Sequence, residues 1–209
     1  MKPHNLANRF RQRRMERFVE LVGPLDTPLR ILDIGGTADY WRALPTLYGA
    51  RNVEITIVNL GVMEFDESNL RVRCGNACSL PQFKDMSFDV VHSNSVIEHV
   101  GPWEAMRAMA SEVRRLAPKY FVQTPNKWFP IEPHYKLPLV QFLPVVARAY
   151  VVRKLKRHLG NEQSDILKAV RNTRLLGARQ MRSLFPDSDL ERERFGGLTK
   201  SIIAIRSAR

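Results

Sequence analysis

The segment Ile31-Leu32-Asp33-Ile34-Gly35-Gly36-Thr37-Ala38-Asp39 runs from an apolar strand, through an aspartate, into a tight glycine turn. Residues without side chains let main-chain N–H groups approach a ligand closely, and open α/β sheets bind ligands at the carboxyl ends of their strands. Alone, such a turn is common. Its value comes from three further polar points downstream. Asn59 ends a β-branched run, Glu54 to Leu60, where a nucleoside's ribose hydroxyls would need a hydrogen-bond partner. Gly75-Asn76-Ala77 follows Leu70 to Arg73, where an adenine edge could be read. Small polar residues, His92-Ser93-Asn94-Ser95, close the run that begins at Phe88. The chemistry implied is the binding of an adenosine-containing cofactor. The dinucleotide fingerprint G-x-G-x-x-G is absent, because Thr37 follows Gly35-Gly36, and no carboxylate stands at the ribose position, so nicotinamide chemistry is disfavoured.

These points can meet only if the strands carrying them lie parallel and adjacent. Residues 30–34, 54–60, 70–73, 87–93 and 120–124 read as five strands, and Leu198 to Arg206 as a final one. Between them, Glu104 to Leu116 reads as an amphipathic helix with Met106, Met109, Ala110, Val113 and Leu116 on its apolar side. Strands alternating with helices favour a parallel sheet covered on both faces. Residues 5–22 predict an arginine-rich amphipathic helix stopped by Gly23-Pro24. After Pro125 the rhythm changes. A loop rich in proline and aromatics covers 126–136, an apolar segment with a basic end covers 139–159, and a basic helix runs from Asp165 to Leu176. One domain over 1–209 is expected, with a basic N-terminal helix at 1–24 and a loop-and-helix insertion, or lid, at 126–177.

With these motifs the chain resembles the class I S-adenosylmethionine-dependent methyltransferases, in particular the small-molecule "type 11"-like group, over about residues 28–126. The resemblance implies a Rossmann-like seven-stranded sheet, mostly parallel with the last strand antiparallel. It also implies S-adenosyl-L-methionine as cofactor. The methionine end then falls to Asp33, Gly35 and Gly36, the ribose to Asn59 with Leu60, adenine to Asn76 with Ala77, and the floor near the sulfonium to Asn94 and Ser95. Thr37 stands where the group has its second loop glycine. Asn59 and Asn76 replace its usual acids. Each substitute retains hydrogen-bonding capacity, so binding is expected to persist.

Methyl transfer from a sulfonium is a direct displacement, in which the enzyme mainly aligns the reactants. A hydroxyl acceptor additionally needs a base, and His99, Glu132 and His134 are the candidates. The last two lie in Thr124-Pro125-Asn126-Lys127-Trp128-Phe129-Pro130-Ile131-Glu132-Pro133-His134-Tyr135. Strings of this type occur in bacterial members of the group. The loop either reaches over the acceptor or is a rigid packing element with Trp128 and Phe129 buried. No metal is expected. A related quinone-precursor methyltransferase group binds one through a Glu-x-x-Glu-His run, but Ser95 replaces the first Glu here. Cys74 and Cys78 alone cannot form a zinc site.

The formal net charge of +12 is uneven. Residues 30–144 are balanced, and the excess lies in the two flanks. Such flanks suit solvated helix faces or an anionic surface. The apolar stretch Leu137 to Val152 is broken by prolines and shorter than the roughly 18 to 20 residues that span a bilayer. A cytoplasmic enzyme is expected, with association to the membrane surface through its basic helices left open, acting at oxygen on a small-molecule, lipid-linked or sugar-linked acceptor. A nucleic-acid substrate is disfavoured by the neutral centre, and a non-catalytic binding protein on the same scaffold is the remaining alternative.

Overall fold

A computed structural model describes residues 6–24, 27–155 and 163–207. Its centre is a mixed sheet. β1 (Leu29–Ile34), β2 (Val53–Asn59), β4 (Leu70–Cys74), β5 (Val90–Asn94) and β6 (Lys119–Pro125) are parallel. β3 (Phe65–Glu67) pairs antiparallel with β4, while β10 (Leu198–Arg206) lies antiparallel to β6 and to β9 (Asp189–Phe195). The order is β3-β4-β2-β1-β5-β6-β10-β9. The mostly parallel sheet with an antiparallel final strand agrees with the expectation, but it has eight strands rather than seven. β3 and β9 escape a sequence reading because neither carries an apolar alternation. Asp189-Leu190-Glu191-Arg192-Glu193-Arg194-Phe195 is mostly charged, which suits an edge strand that must not recruit another chain.

Alternation along β1 distributes the core to two faces. Leu32 and Ile34 pack with Met106, Met109 and Val113 of α3 (Trp103–Leu116) and with Met181 and Leu184 of α6 (Ala178–Leu184). On the opposite face Ile31 packs with Met15 and Phe18 of α1 (Leu6–Val22) and with Trp41 of α2 (Ala38–Arg42). The apolar stripe expected on α3 is buried throughout. The fourth strand starts at Val90 rather than Ser87, because Asp89 turns its carboxylate to the main-chain N–H and guanidinium of Arg30.

The segment after β6 builds a small cluster of its own. A two-stranded ribbon, β7 (Ile131–Glu132) with β8 (Leu137–Pro138), leads through a 3-10 turn at Val140–Phe142 to α4 (Val145–Leu155). After residues 156–162, which lie outside the described ones, comes α5 (Gln163–Asn172). Leu137, Val140, Val152, Ile166 and Val170 form its apolar centre. Much of the rest is exposed, including Leu139, Phe142, Leu143, Val146 and Tyr150. Packing of the whole 139–159 segment on the sheet is therefore not observed over its described part.

Candidate functional site

β1, β2, β4 and β5 are neighbours, so their carboxyl ends lie side by side, and each expected cofactor position occurs there. Gly35 has φ +78°, a left-handed conformation, and an added Cβ would come within 2.5 Å of Val96. Its N–H donates to the Val58 carbonyl at 2.7 Å, which pins the turn to β2. Gly36 is required for another reason: a Cβ there would lie 1.7 Å from Asp33 Oδ2. A backbone that must lie against a carboxylate admits only glycine.

Asp33 itself is 1% exposed. Trp41 Nε1 donates to its Oδ2 at 2.6 Å and His92 Nδ1 donates to its Oδ1 at 2.8 Å. Phe18, Tyr40 and Phe121 enclose the His92 ring. Asp33 thus supports the glycine turn from behind, with both oxygens engaged. Trp41 is a support for Asp33 that the sequence did not disclose, and His92 was read there only as one of four polar residues closing a strand, because no local pattern ties either to Asp33.

The two asparagines order their own loops. Asn59 Nδ2 donates to the Gly36 carbonyl at 3.3 Å, and its Oδ1 accepts from Leu60 N at 2.9 Å. Asn76 Oδ1 accepts from Cys78 N at 3.0 Å. Leu60, Asn76 and Thr37 face solvent, whereas Ala77 packs against the core. Ser95 has φ +58°, and its Oγ donates to Gln123 Oε1 at 2.9 Å. Asn94 Oδ1 accepts from Arg14 Nη1 at 2.6 Å. That bond brings the basic N-terminal helix over the end of β5, 80 residues away in the chain. Arg14 is one of five arginines between residues 9 and 17, so sequence alone cannot single it out.

Beside these strand ends is a cavity of about 430 Å³, whose lining includes Phe10, Arg14, Ser95, Gln123, Phe129, Ile131, Lys136 and Lys200. Its walls are largely apolar. Its cations have few acidic partners: Glu193 lies 3.4 Å from Arg14, and Lys200 Nζ sits 3.7 Å from the centre of the Phe10 ring. Burial pushes the Lys200 ammonium below its ordinary pKa.

The three catalytic candidates also meet, although 35 residues separate His99 from His134. Glu132 is 2% exposed. Its Oε1 accepts from His134 Nδ1 at 2.7 Å and its Oε2 from Tyr135 N at 2.7 Å. His134 Nε2 lies 3.0 Å from His99 Nε2. Glu98, which the sequence reading did not select, lies under this pair with no exposure. Its Oε2 accepts from Thr124 Oγ1 at 2.9 Å. Burial pushes the Glu98 carboxyl up to about 7, against the pull of hydrogen bonds from the main chain and Thr124. Burial, with nearby His134, lowers His99. Burial also opposes charge on His134, but the hydrogen bond and charge of Glu132 outweigh it and the net shift is upward. In the loop that carries His134, Trp128 is 68% exposed and tilts against Phe142, so it is not the buried anchor of a packing element.

Residues 32–119 match the family described as a methyltransferase domain. No curated protein matches the sequence. Among solved structures, an O-methyltransferase family protein from Burkholderia thailandensis aligns at 11% identity and a TM-score of 0.58, covering 97% of this chain and 56% of that one. Phosphoethanolamine N-methyltransferase 2 from Haemonchus contortus, in complex with S-adenosyl-L-methionine, aligns at 16% identity and 0.54, covering 88% and 38%. A chain from Rhodobacter sphaeroides, provisionally named a zinc-dependent alcohol dehydrogenase, aligns at 11% and 0.54, covering 91% and 88%. At these identities the likenesses carry the fold alone. The chain spans less than two thirds of the length of the first two.

Proposed function

We propose that this chain, whose residues 32–119 match a methyltransferase-domain family, transfers the methyl group of S-adenosylmethionine to an oxygen of a small-molecule, lipid-linked or sugar-linked acceptor. S-adenosylmethionine lies across the ends of β1, β2, β4 and β5 in this reading. Its methionine end rests on the turn of Gly35, Gly36 and Thr37, which the Gly35 N–H bond to Val58 and the Asp33 carboxylate hold in place. Asn59 and Leu60 meet the ribose, Asn76 and Ala77 the adenine, and Asn94 and Ser95 face the sulfonium.

The observation that carries the proposal is the adjacency of two sites. The cavity that would take the acceptor is lined by Ser95, at the same strand end where the cofactor's sulfonium would stand. Apolar walls with Arg14, Lys136 and Lys200 suit an acceptor that has both a greasy part and an anionic part. A lipid-linked acceptor agrees further with the exposed apolar side chains of 128–155 and with the basic residues beside them, which we assign to an anionic membrane surface. Among the described residues no helix is long and apolar enough to cross a membrane.

Displacement at the methyl carbon needs the acceptor oxygen in line with the sulfur and relieved of its proton. His134 is the base in this reading. Glu132 takes up its Nδ1–H, which directs the Nε2 lone pair outward, and His99 shares that edge. Titration calorimetry with S-adenosylmethionine and a radiolabelled methyl-transfer assay against candidate acceptors test the two halves. His134→Ala and Glu132→Gln should each lower turnover by about 100-fold while cofactor affinity stays unchanged. An absence of binding heat would defeat the cofactor half. Full activity in both variants would defeat the base.

A further inference from the structure

Glu98, His99 and His134 are arranged in a way that a proton network alone does not explain. Their ligand-type atoms all lie within 4.8 Å of one another. His134 Nδ1 is committed to Glu132 at 2.7 Å, so its free nitrogen is Nε2, and that atom faces His99 Nε2 at 3.0 Å. Glu98 Oε1 is buried, accepts no hydrogen bond from any described residue, and stands 4.0 Å from His99 Nε2. Donor atoms bound at about 2.0–2.1 Å around one tetrahedral centre lie about 3.3 Å apart. The observed spacings bracket that value.

Charge leads to the same place. Glu98 and Glu132 are 0% and 2% exposed, and among the described residues neither makes an ion pair with a lysine or arginine. Buried carboxylates without a cation are costly. Two imidazoles and a carboxylate converging on one point supply the missing partner if a dication sits between them.

We propose that Glu98, His99 and His134 bind a divalent transition-metal ion, with Glu132 holding the His134 ring from outside the ligand set. Imidazole donors favour a zinc-like ion over magnesium or calcium, and a carboxylate on the far nitrogen of a ligating histidine is the usual support for such a ring. Both imidazoles keep some exposure, 41% for the His99 side chain and 26% for His134, so a further position on the ion is open to solvent or to an acceptor oxygen. The expectation of no metal weighed the cysteine pair Cys74 and Cys78 and the run from Ser95 to His99, each by itself. The third ligand comes from the loop after β6, which only the folded chain brings alongside. With an ion bound, the His134 Nε2 lone pair is occupied and could not take the acceptor's proton; the ion would instead lower the pKa of an acceptor hydroxyl, a part that rests on the reading above, whereas the binding of the ion does not.

The test uses the full chain, treated with chelator, dialysed and titrated with Co²⁺, whose visible absorption reports nitrogen and oxygen coordination. A saturable band at a single equivalent, abolished by Zn²⁺, is expected. His134→Ala and Glu98→Gln should weaken cobalt binding by about 100-fold or more, and Glu132→Gln by about 10-fold. Glu98→Gln keeps an acceptor for Thr124, which separates loss of the ion from loss of the fold, and circular dichroism of each variant checks this. Absence of the band, or its persistence in a His99→Ala/His134→Ala double variant, would overturn the site. Calorimetry with S-adenosylmethionine on the same metal-free protein reads the cofactor assignment separately, since none of these residues is placed against the cofactor.

Discussion

Two kinds of group are often confused at a strand end: those that touch a ligand and those that hold the groups that touch it. Asp33 falls on the second side of that line by geometry, because both of its oxygens receive hydrogen bonds from buried donors. Removing the carboxylate would leave the Trp41 indole N–H and the His92 imidazole N–H unpaired in the core. Asp33→Ala should therefore cost about 2–4 kcal/mol, read as a lower midpoint in urea unfolding without any cofactor present. A change of less than about 0.5 kcal/mol would mean that the pair is not coupled to the fold. Gly35 is a poor probe of the cofactor for a related reason. Its positive φ and its closeness to Val96 mean that a bulky substitution disturbs the turn as well as any ligand. Asn59→Ala is the cleaner choice, since it removes only the bonds to the Gly36 carbonyl and from Leu60 N at the end of β2 and changes no residue of positive φ.

The elements that place the site are held by a few ties between distant segments. β10 runs against β6 and carries Arg206, which reaches Asp187 at 2.5 Å, while Tyr120 of β6 donates to the same carboxylate at 2.6 Å. Burial alone would raise the Asp187 pKa, but the hydrogen bonds from Tyr120 and Arg206 outweigh it and hold the carboxyl below its ordinary value. A carboxyl depressed in the folded state stabilises the fold above its unfolded pKa, and that contribution fades as pH falls through the lowered folded value. Asp187→Asn should thus lose about 1 kcal/mol near pH 7, and the gap from the parent should close in strongly acid solution. Denaturation midpoints across that range check the sign. A gap that widened on acidification would contradict it.

Across the whole molecule, charge and apolar exposure are segregated. The central residues 30–144 are balanced while the flanks hold the excess positive charge. The exposed Trp128, Leu139, Val146 and Tyr150 lie in one stretch of the chain, with Lys154 close over the Tyr150 ring. Aromatic and aliphatic side chains beside cations suit the boundary between lipid headgroups and acyl chains. The protein should sediment with vesicles containing anionic phospholipid, and added salt should reduce the bound fraction, because surface charges separated by more than a Debye length are screened. Val146→Glu combined with Tyr150→Ser should lower that fraction severalfold without altering the affinity for S-adenosylmethionine. Equal sedimentation with neutral vesicles would remove the electrostatic part. No sedimentation with either would remove the assignment of this stretch to a membrane surface.

Local pattern was enough for the strands β1, β2, β4, β6 and β10, for the stripe on α3 and for the glycine turn, because period-two and helical repeats and the absence of a side chain are written within a few neighbouring residues. It was enough, too, to nominate Asn59, Asn76, Asn94 and Ser95 at strand ends. Contacts over long stretches of chain were beyond it. β9 is charged along its length and becomes a strand only because β10 is there to pair with it. His92 and Trp41 gain their meaning from Asp33, Arg14 from Asn94, and Glu98 from a histidine brought in by a loop that begins after another strand. Residue types and spacing decide which groups a chain possesses. Which of them share a few ångströms is decided by the order and direction of the strands, and that is a property of the folded sheet alone.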